Sequence, residues 1–231
     1  MYLFVLSFGY HGKAFFMEEK RSYQFVRTLC EIGIMAALGF VLDELQSAYS
    51  RPLFAAGGSI GIAMVCVFVM GYRRGFFAAL ATGLIMGILD TMTGPYILPG
   101  SFGMAFLQVG LDYVLAYPLA ALGCLFKPLF DKAETKSKKA GILILGCVIG
   151  GLAKYGAHAL AGILFWTSDP ETFAWGLSYM NPVAYALLYN GAFMLPCILL
   201  STTLCVVMLF KAPTIYSSPD SIYRGIHKEE N

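Results

Sequence analysis

Lys154, His158, Gly162 and Trp166 stand at successive steps of four residues in KYGAHALAGILFW (154–166). On a helix that spacing makes one slowly drifting stripe. The surrounding run, from about 140 to 166, is otherwise apolar, and an ionisable side chain inside a membrane span faces a bundle interior or a watery cavity. Gly162 would leave a notch where a flat molecule can approach the backbone. The stripe reads as one wall of a binding pocket.

Other polar groups interrupt apolar segments. Gln108 and Asp112 share a helical face, with Tyr113 beside them. A carboxylate there can hold a cationic ligand, neutralise Lys154, or do both, since intramembrane charges pair. His158 can be a proton relay, a ligand contact or a satisfied interior histidine; no partners stand at metal-ligand spacing. Trp166 reads as an interfacial anchor or as a stacking platform for an aromatic or cationic ligand. Tyr185 and Tyr189 are spaced like helix neighbours and precede Asn190, whose buried amide needs partners at both ends. Asp90 reads as a cap or loop anchor, and YRRG (72–75) as a determinant of topology.

No phosphate loop of the GxxxxGK[ST] type occurs, nor GxSxG, nor HExxH, and no nucleophile stands beside a base at usable spacing. The chain is therefore read as a non-enzyme with no cofactor and no metal. Anything it moves uphill must draw on a partner or an ion gradient. The cysteines form no CxxC pair and read as apolar fillers of helix interfaces.

The elements that carry these residues belong in lipid. Of 231 residues 58% are hydrophobic and 13% charged, with a mean hydropathy of +0.68, against about a quarter charged in soluble domains. Apolar segments fall at about 25–45, 57–70, 76–89, 104–125, 140–166 and 183–210, the second and third short for a full crossing. Of the 16 lysines and arginines, all but Arg51 and Lys154 then lie on one side. The positive-inside rule makes that side cytoplasmic. The expectation is an all-α integral membrane protein with six transmembrane helices and both termini cytoplasmic. It has an N-terminal extension (1–24), a membrane domain (25–210) and a tail (211–231), with outward loops at 46–56, 91–103 and 167–182. Residues 1–16 read as a possible upstream extension, disordered or interfacial. The basic residues are scattered among short loops, so no nucleic-acid partner is expected.

Several strings occur in a fixed order: EIGIMAALGF (31–40), RRG (73–75), TGPYIL (93–98), LDY (111–113), the 154–166 stretch, and AYALLYNG (184–191). Together they resemble the thiamin-specific substrate-binding subunit, the S component, of energy-coupling factor (ECF) transporters. The resemblance covers about 26–210, and its most specific part is the fifth segment. It implies residence in the bacterial cytoplasmic membrane and a thiamin pocket near the outer face, closed by the first outward loop. It also implies a transmembrane coupling subunit and two cytoplasmic ATPase subunits as partners. Carried over residue by residue, it implicates Asp112, Tyr113, His158, Gly162, Trp166, Tyr185 and Asn190 in binding thiamin. Gly33 and Ala37 fall on the AxxxA positions that contact the coupling subunit. The chain departs from the family in two places. Asp112 stands for the usual glutamate, and no tryptophan occurs between Gln46 and Ile60, where Phe54 is the aromatic. Alternatives are the same fold binding a thiamin precursor or another flat vitamin, and a stand-alone proton-coupled transporter using Lys154, Asp112 and His158.

Overall fold

The computed structural model describes residues 2–54, 57–93, 97, 100–167 and 173–217, for 2–21 the backbone alone. Among them every regular element is helical. Helix α1 (Tyr2–Ser50) runs unbroken through residue 24. Helices α2 (Met64–Arg74) and α3 (Phe76–Met92) meet at Gly75, whose φ of +105° an L side chain rarely adopts. Helix α4 (Phe102–Val109) passes into a π-helical turn, Gly110–Val114. Next come α5 (Ala116–Ala120), a 3₁₀ stretch (Ala121–Phe126) and α6 (Lys127–Lys132). Helix α7 (Lys136–Ala161) ends in a second π-helical turn, Gly162–Trp166. A loop with a short 3₁₀ turn, Ala174–Gly176, leads to α8 (Pro182–Lys211) and a last 3₁₀ turn, Pro213–Tyr216.

The middle of the bundle is α2, in which every residue from Met64 to Tyr72 is buried. A helix apolar on all sides belongs in such a position. Eleven residues make about 16 Å, roughly half a bilayer core. The segment expected to be helical from Gly57 is irregular up to α2, and from Ser59 to Ala63 it is buried or half-buried. That is allowed at membrane depth only if its backbone groups find partners, and they do. The Ile60 N–H donates to Ser50 Oγ, Gly61 to Cys197 Sγ and Ala63 to Gln46 Oε1. The carbonyls of Gly57, Ser59 and Ile60 accept from Tyr189, Cys197 and Tyr49. Glycine is required at 61, where a Cβ would enter the Gln46 side chain.

Around α2, α1 packs on α3, α3 on α5, and α7 on α5 and α8. Glycines set the close approaches: a Cβ at Gly123 would meet the Gly146 carbonyl, and one at Gly150 the Ala120 carbonyl. The expected unbroken fourth span is bent by 42° between Phe102–Val114 and Ala116–Lys132. Pro118 lies just past the bend and cannot donate the helical bond to Val114, while the Leu115 N–H reaches back five residues to Gly110.

At the opposite end from the loops that follow α1 and α7, charges tie three elements together. Glu31 accepts from both Arg73 (3.0 and 3.1 Å) and Arg74 (2.7 and 2.9 Å). Arg73 also donates to the carbonyls of Thr214, Ile215 and Ser217. So the chain just beyond α8, expected to begin a loose tail, is held as far as Ser217. Among the described residues three helices are long and apolar enough to cross a bilayer: Ser22–Ser50, Lys136–Trp166 and Pro182–Lys211. The bent pair makes a fourth if it is one span. The expected lid at 91–103 falls partly outside the described residues, as do 168–172 and 218–231.

Candidate ligand-binding site

Between α1, the 57–63 stretch, α3, the α4–α5 bend, α7 and α8 lies a cavity of about 690 Å³. Asp112, Tyr113, His158, Gly162, Trp166, Tyr185 and Asn190 all line it. Gln108 does not; it is fully buried elsewhere in the packing. The helical face it was expected to share with Asp112 is broken by the π-helical turn between them.

Both π-helical turns lie at this site. One carries Asp112 and Tyr113, the other Gly162 and Trp166. A π turn admits an extra residue into a helix and re-aims the side chains that follow, and such turns recur at functional sites. Here they bring two distant segments together. Asp112 Oδ1 lies 2.7 Å from His158 Nδ1, and Asp112 Oδ2 accepts from the Trp166 indole N–H at 3.1 Å. One carboxylate thus fixes an imidazole and an indole. Asp112 pairs with His158, and no ion pair joins it to Lys154 among the described residues.

Lys154 is buried, 7% exposed, with its ammonium 3.3 Å from the centre of the Tyr117 ring. That contact satisfies part of a desolvated cation's need. Around it stand acidic and polar groups from other elements. Asp43 accepts from the Tyr117 hydroxyl (2.5 Å) and from Gln46 (2.6 Å), and Gln46 also donates to Ser59. Asp90, expected only as a cap, lines the cavity too, as does Arg51. Carboxylates at 43, 90 and 112 thus face one guanidinium and one ammonium.

The aromatic wall comes from α8. Tyr185 stacks on Phe173 at 3.9 Å and 7°, and its hydroxyl accepts from the Ala174 N–H. Tyr189 lies 5.0 Å from Trp175 and 6.0 Å from Phe54. Asn190 Nδ2 donates to the Ala186 carbonyl one turn earlier. The notch expected at Gly162 is filled from within, since a Cβ there would lie 2.9 Å from Asn190 Nδ2 and 3.1 Å from Ala186 Cβ. Glycine lets α8 close on α7 at the cavity's edge. Sequence reasoning passed over Asp43, Gln46, Tyr117 and Trp175. Asp43 and Gln46 look like the polar end of a span, and Tyr117 like any apolar aromatic, until the fold gathers them.

Helices that cross a bilayer, packed around a polar cavity with an aromatic wall, define a multi-pass membrane protein with an internal binding site. The chain matches the family model described as Thiamine transporter protein (Thia_YuaJ) over residues 29–217, and it belongs to that family. It is 31% identical over 205 residues to Thiamine transporter ThiT of Bacillus subtilis (strain 168), covering 86% of this chain and 97% of that one. Thiamine transporter ThiT of Lacticaseibacillus paracasei is also 31% identical, over 198 residues, covering 83% and 91%. A solved structure of ThiT from Listeria monocytogenes superposes with a TM-score of 0.66 at 28% identity, over 83% of this chain and 98% of that one.

Proposed function

We propose that this protein binds thiamin in the cavity and is the substrate-binding subunit of an ECF-type uptake transporter in the bacterial cytoplasmic membrane. The observation that carries the reading is the convergence of Asp112, Tyr113, His158, Gly162, Trp166, Tyr185 and Asn190 on one cavity. Family membership supplies the ligand class, and the charged lining suits it. Thiamin carries one fixed positive charge on a thiazolium ring joined to a flat aminopyrimidine, and the lining sets the Asp112 carboxylate beside Asp43, Asp90, Arg51 and Lys154. A fixed cation offsets the desolvation of that carboxylate, which an unpaired buried charge could not bear. The cavity volume lies within the range of small-molecule sites.

In this reading Asp112 faces the cation and holds His158 and Trp166 in place. The Trp166 and Tyr185 rings form stacking faces, the latter backed by Phe173. Tyr113, His158 and Asn190 bond the polar edges, and Gly162 keeps α7 and α8 close. Six spans put both termini on the cytoplasmic side. Transport needs a coupling subunit and two ATPase subunits, on which the loaded protein topples to release its ligand inside. Gly33 and Ala37 supply a docking surface: both are exposed on α1, and a Cβ at Gly33 would meet nothing within 4 Å.

Thermal unfolding of the purified protein with thiamin tests the binding site. Saturation at about a hundred times Kd adds about 2.7 kcal/mol of stability, so an unchanged Tm at that concentration would reject the reading. A ligand panel separates thiamin from its precursors and other flat vitamins. The His158–Asp112 pair also favours a second reading, a proton relay in a self-sufficient transporter. Uptake by this chain alone into proteoliposomes under a pH gradient would establish that one instead.

A further inference from the structure

Trp175 is the one non-glycine residue with positive φ among those described, at φ 60° and ψ 19°. Gly176 follows at φ +69°, and the two left-handed residues turn the chain sharply. The Trp175 indole N–H donates to the Leu53 carbonyl at 3.1 Å, joining the loop before α8 to the turn after α1. Its ring lies 5.0 Å from Tyr189 and edge-on to Phe54 at 5.9 Å. Phe54, 6% exposed, is also edge-on to Tyr189 and to Phe193 at 5.6 Å, and it lines the cavity. Without these anchors the 51–54 turn has little to hold it. Among the described residues its backbone bonds join it to Ser47 and Ser50 at the end of α1 and to Gly57 just beyond it, and a turn held by local bonds alone opens readily.

We infer that Trp175 is a positioning residue which, through Phe54 and Leu53, holds the turn after α1 over the cavity and so sets how long a bound ligand stays. Trp175 is not itself among the cavity-lining residues. It touches Phe54 and Tyr189, which are, and acts through them.

The effect on retention rests on the thiamin reading; the effect on the turn does not, so two measurements are paired. In ligand-free, full-length protein, hydrogen exchange is followed at the amides of Leu53 and Phe54, which bond to the Ser50 carbonyl. Trp175→Ala should speed it about tenfold, the weight of an aromatic contact with its hydrogen bond. Phe54→Ala should do the same, and the double variant no more than either, because each opens one latch. Trp175→Phe keeps the ring, loses only the N–H, and should fall between. Radiolabelled thiamin chased with unlabelled thiamin should leave these variants faster in the same order. Exchange within about twofold of wild type in Trp175→Ala, or effects of the two alanine variants that multiply, would overturn the inference. If the wild type retains no thiamin, the binding reading fails while the exchange data still decide the latch.

Discussion

Asp112 does at least two things at once, and its substitutions separate them. Both of its oxygens are engaged, one with His158 and one with Trp166. Asp112→Asn removes the charge and turns one acceptor into a donor, which His158 Nδ1 can meet only in its other tautomer. Hydrogen bonds to charged groups are worth about 1.5–3 kcal/mol, so thiamin affinity should fall about ten- to a hundredfold by calorimetric titration. Asp112→Glu restores the charge with one methylene more and should recover most of the loss. Equal affinity in Asp112→Asn would mean that the carboxylate only braces its neighbours. The chain's two tryptophans, Trp166 and Trp175, both lie at this end of the protein. Trp166→Phe should therefore leave thiamin-dependent quenching from Trp175 alone, reduced in amplitude but saturable.

At the scale of elements, the bundle depends on glycines whose missing Cβ atoms other backbones occupy, and glycine is not uniformly required. Gly150 lies against the Ala120 carbonyl, while Gly156, on the same helix, has nothing within 4 Å of its Cβ position. Gly150→Ala should push α7 off the α5 region and lower stability by about 1–3 kcal/mol. Gly156→Ala should raise it by about 0.5–1 kcal/mol, since alanine restricts the unfolded chain and favours helix. Tm values in one detergent compare the two directly. A similar split runs along α1. Ala36 and Gly39 face inward, the latter against Met86, whereas Gly33 and Ala37 face out. The small residues of EIGIMAALGF (31–40) therefore lie on two faces, one packed inside the protein and one exposed.

For the whole molecule, the ends of the bundle carry different duties. One end holds the cavity and its loops; the other holds the Glu31 cluster that binds α1 to the α2–α3 turn and to the chain beyond α8. Glu31→Gln would leave Arg73 and Arg74, the latter side chain 7% exposed, without their counter-ion. Breaking such a pair costs about 3 kcal/mol or more. The variant should melt earlier yet bind thiamin normally when folded, because Glu31 does not line the cavity. Ala37→Trp acts in the opposite sense, adding bulk on an exposed face. Uptake in cells that also make the energising subunits should be lost, with thiamin affinity of the purified protein within about twofold of wild type. Loss of both would mean misfolding.

How much of this was legible beforehand follows from the range of each force. Membrane residence and helical class are properties of composition and of runs of residues, and they can be read from the chain in order. The i+4 stripe from Lys154 to Trp166 is likewise local, as is the pairing of Asp112 with Tyr113, and those residues do meet at one cavity. What the order of residues could not show depends on neighbours remote in the chain. The non-helical course of 57–63 is possible only because Ser50, Gln46, Tyr49, Tyr189 and Cys197 supply its hydrogen bonds. The π-helical turns at Gly110–Val114 and Gly162–Trp166 shift the helical register just where ideal periodicity was assumed. Asp43, Tyr117 and Lys154, from three helices, form one polar cluster only after packing. Local periodicity chose the elements and most of the site's residues. Hydrogen bonding and close packing across the chain decided where the helices break and which groups face one another, because both depend on distances that sequence separation does not encode.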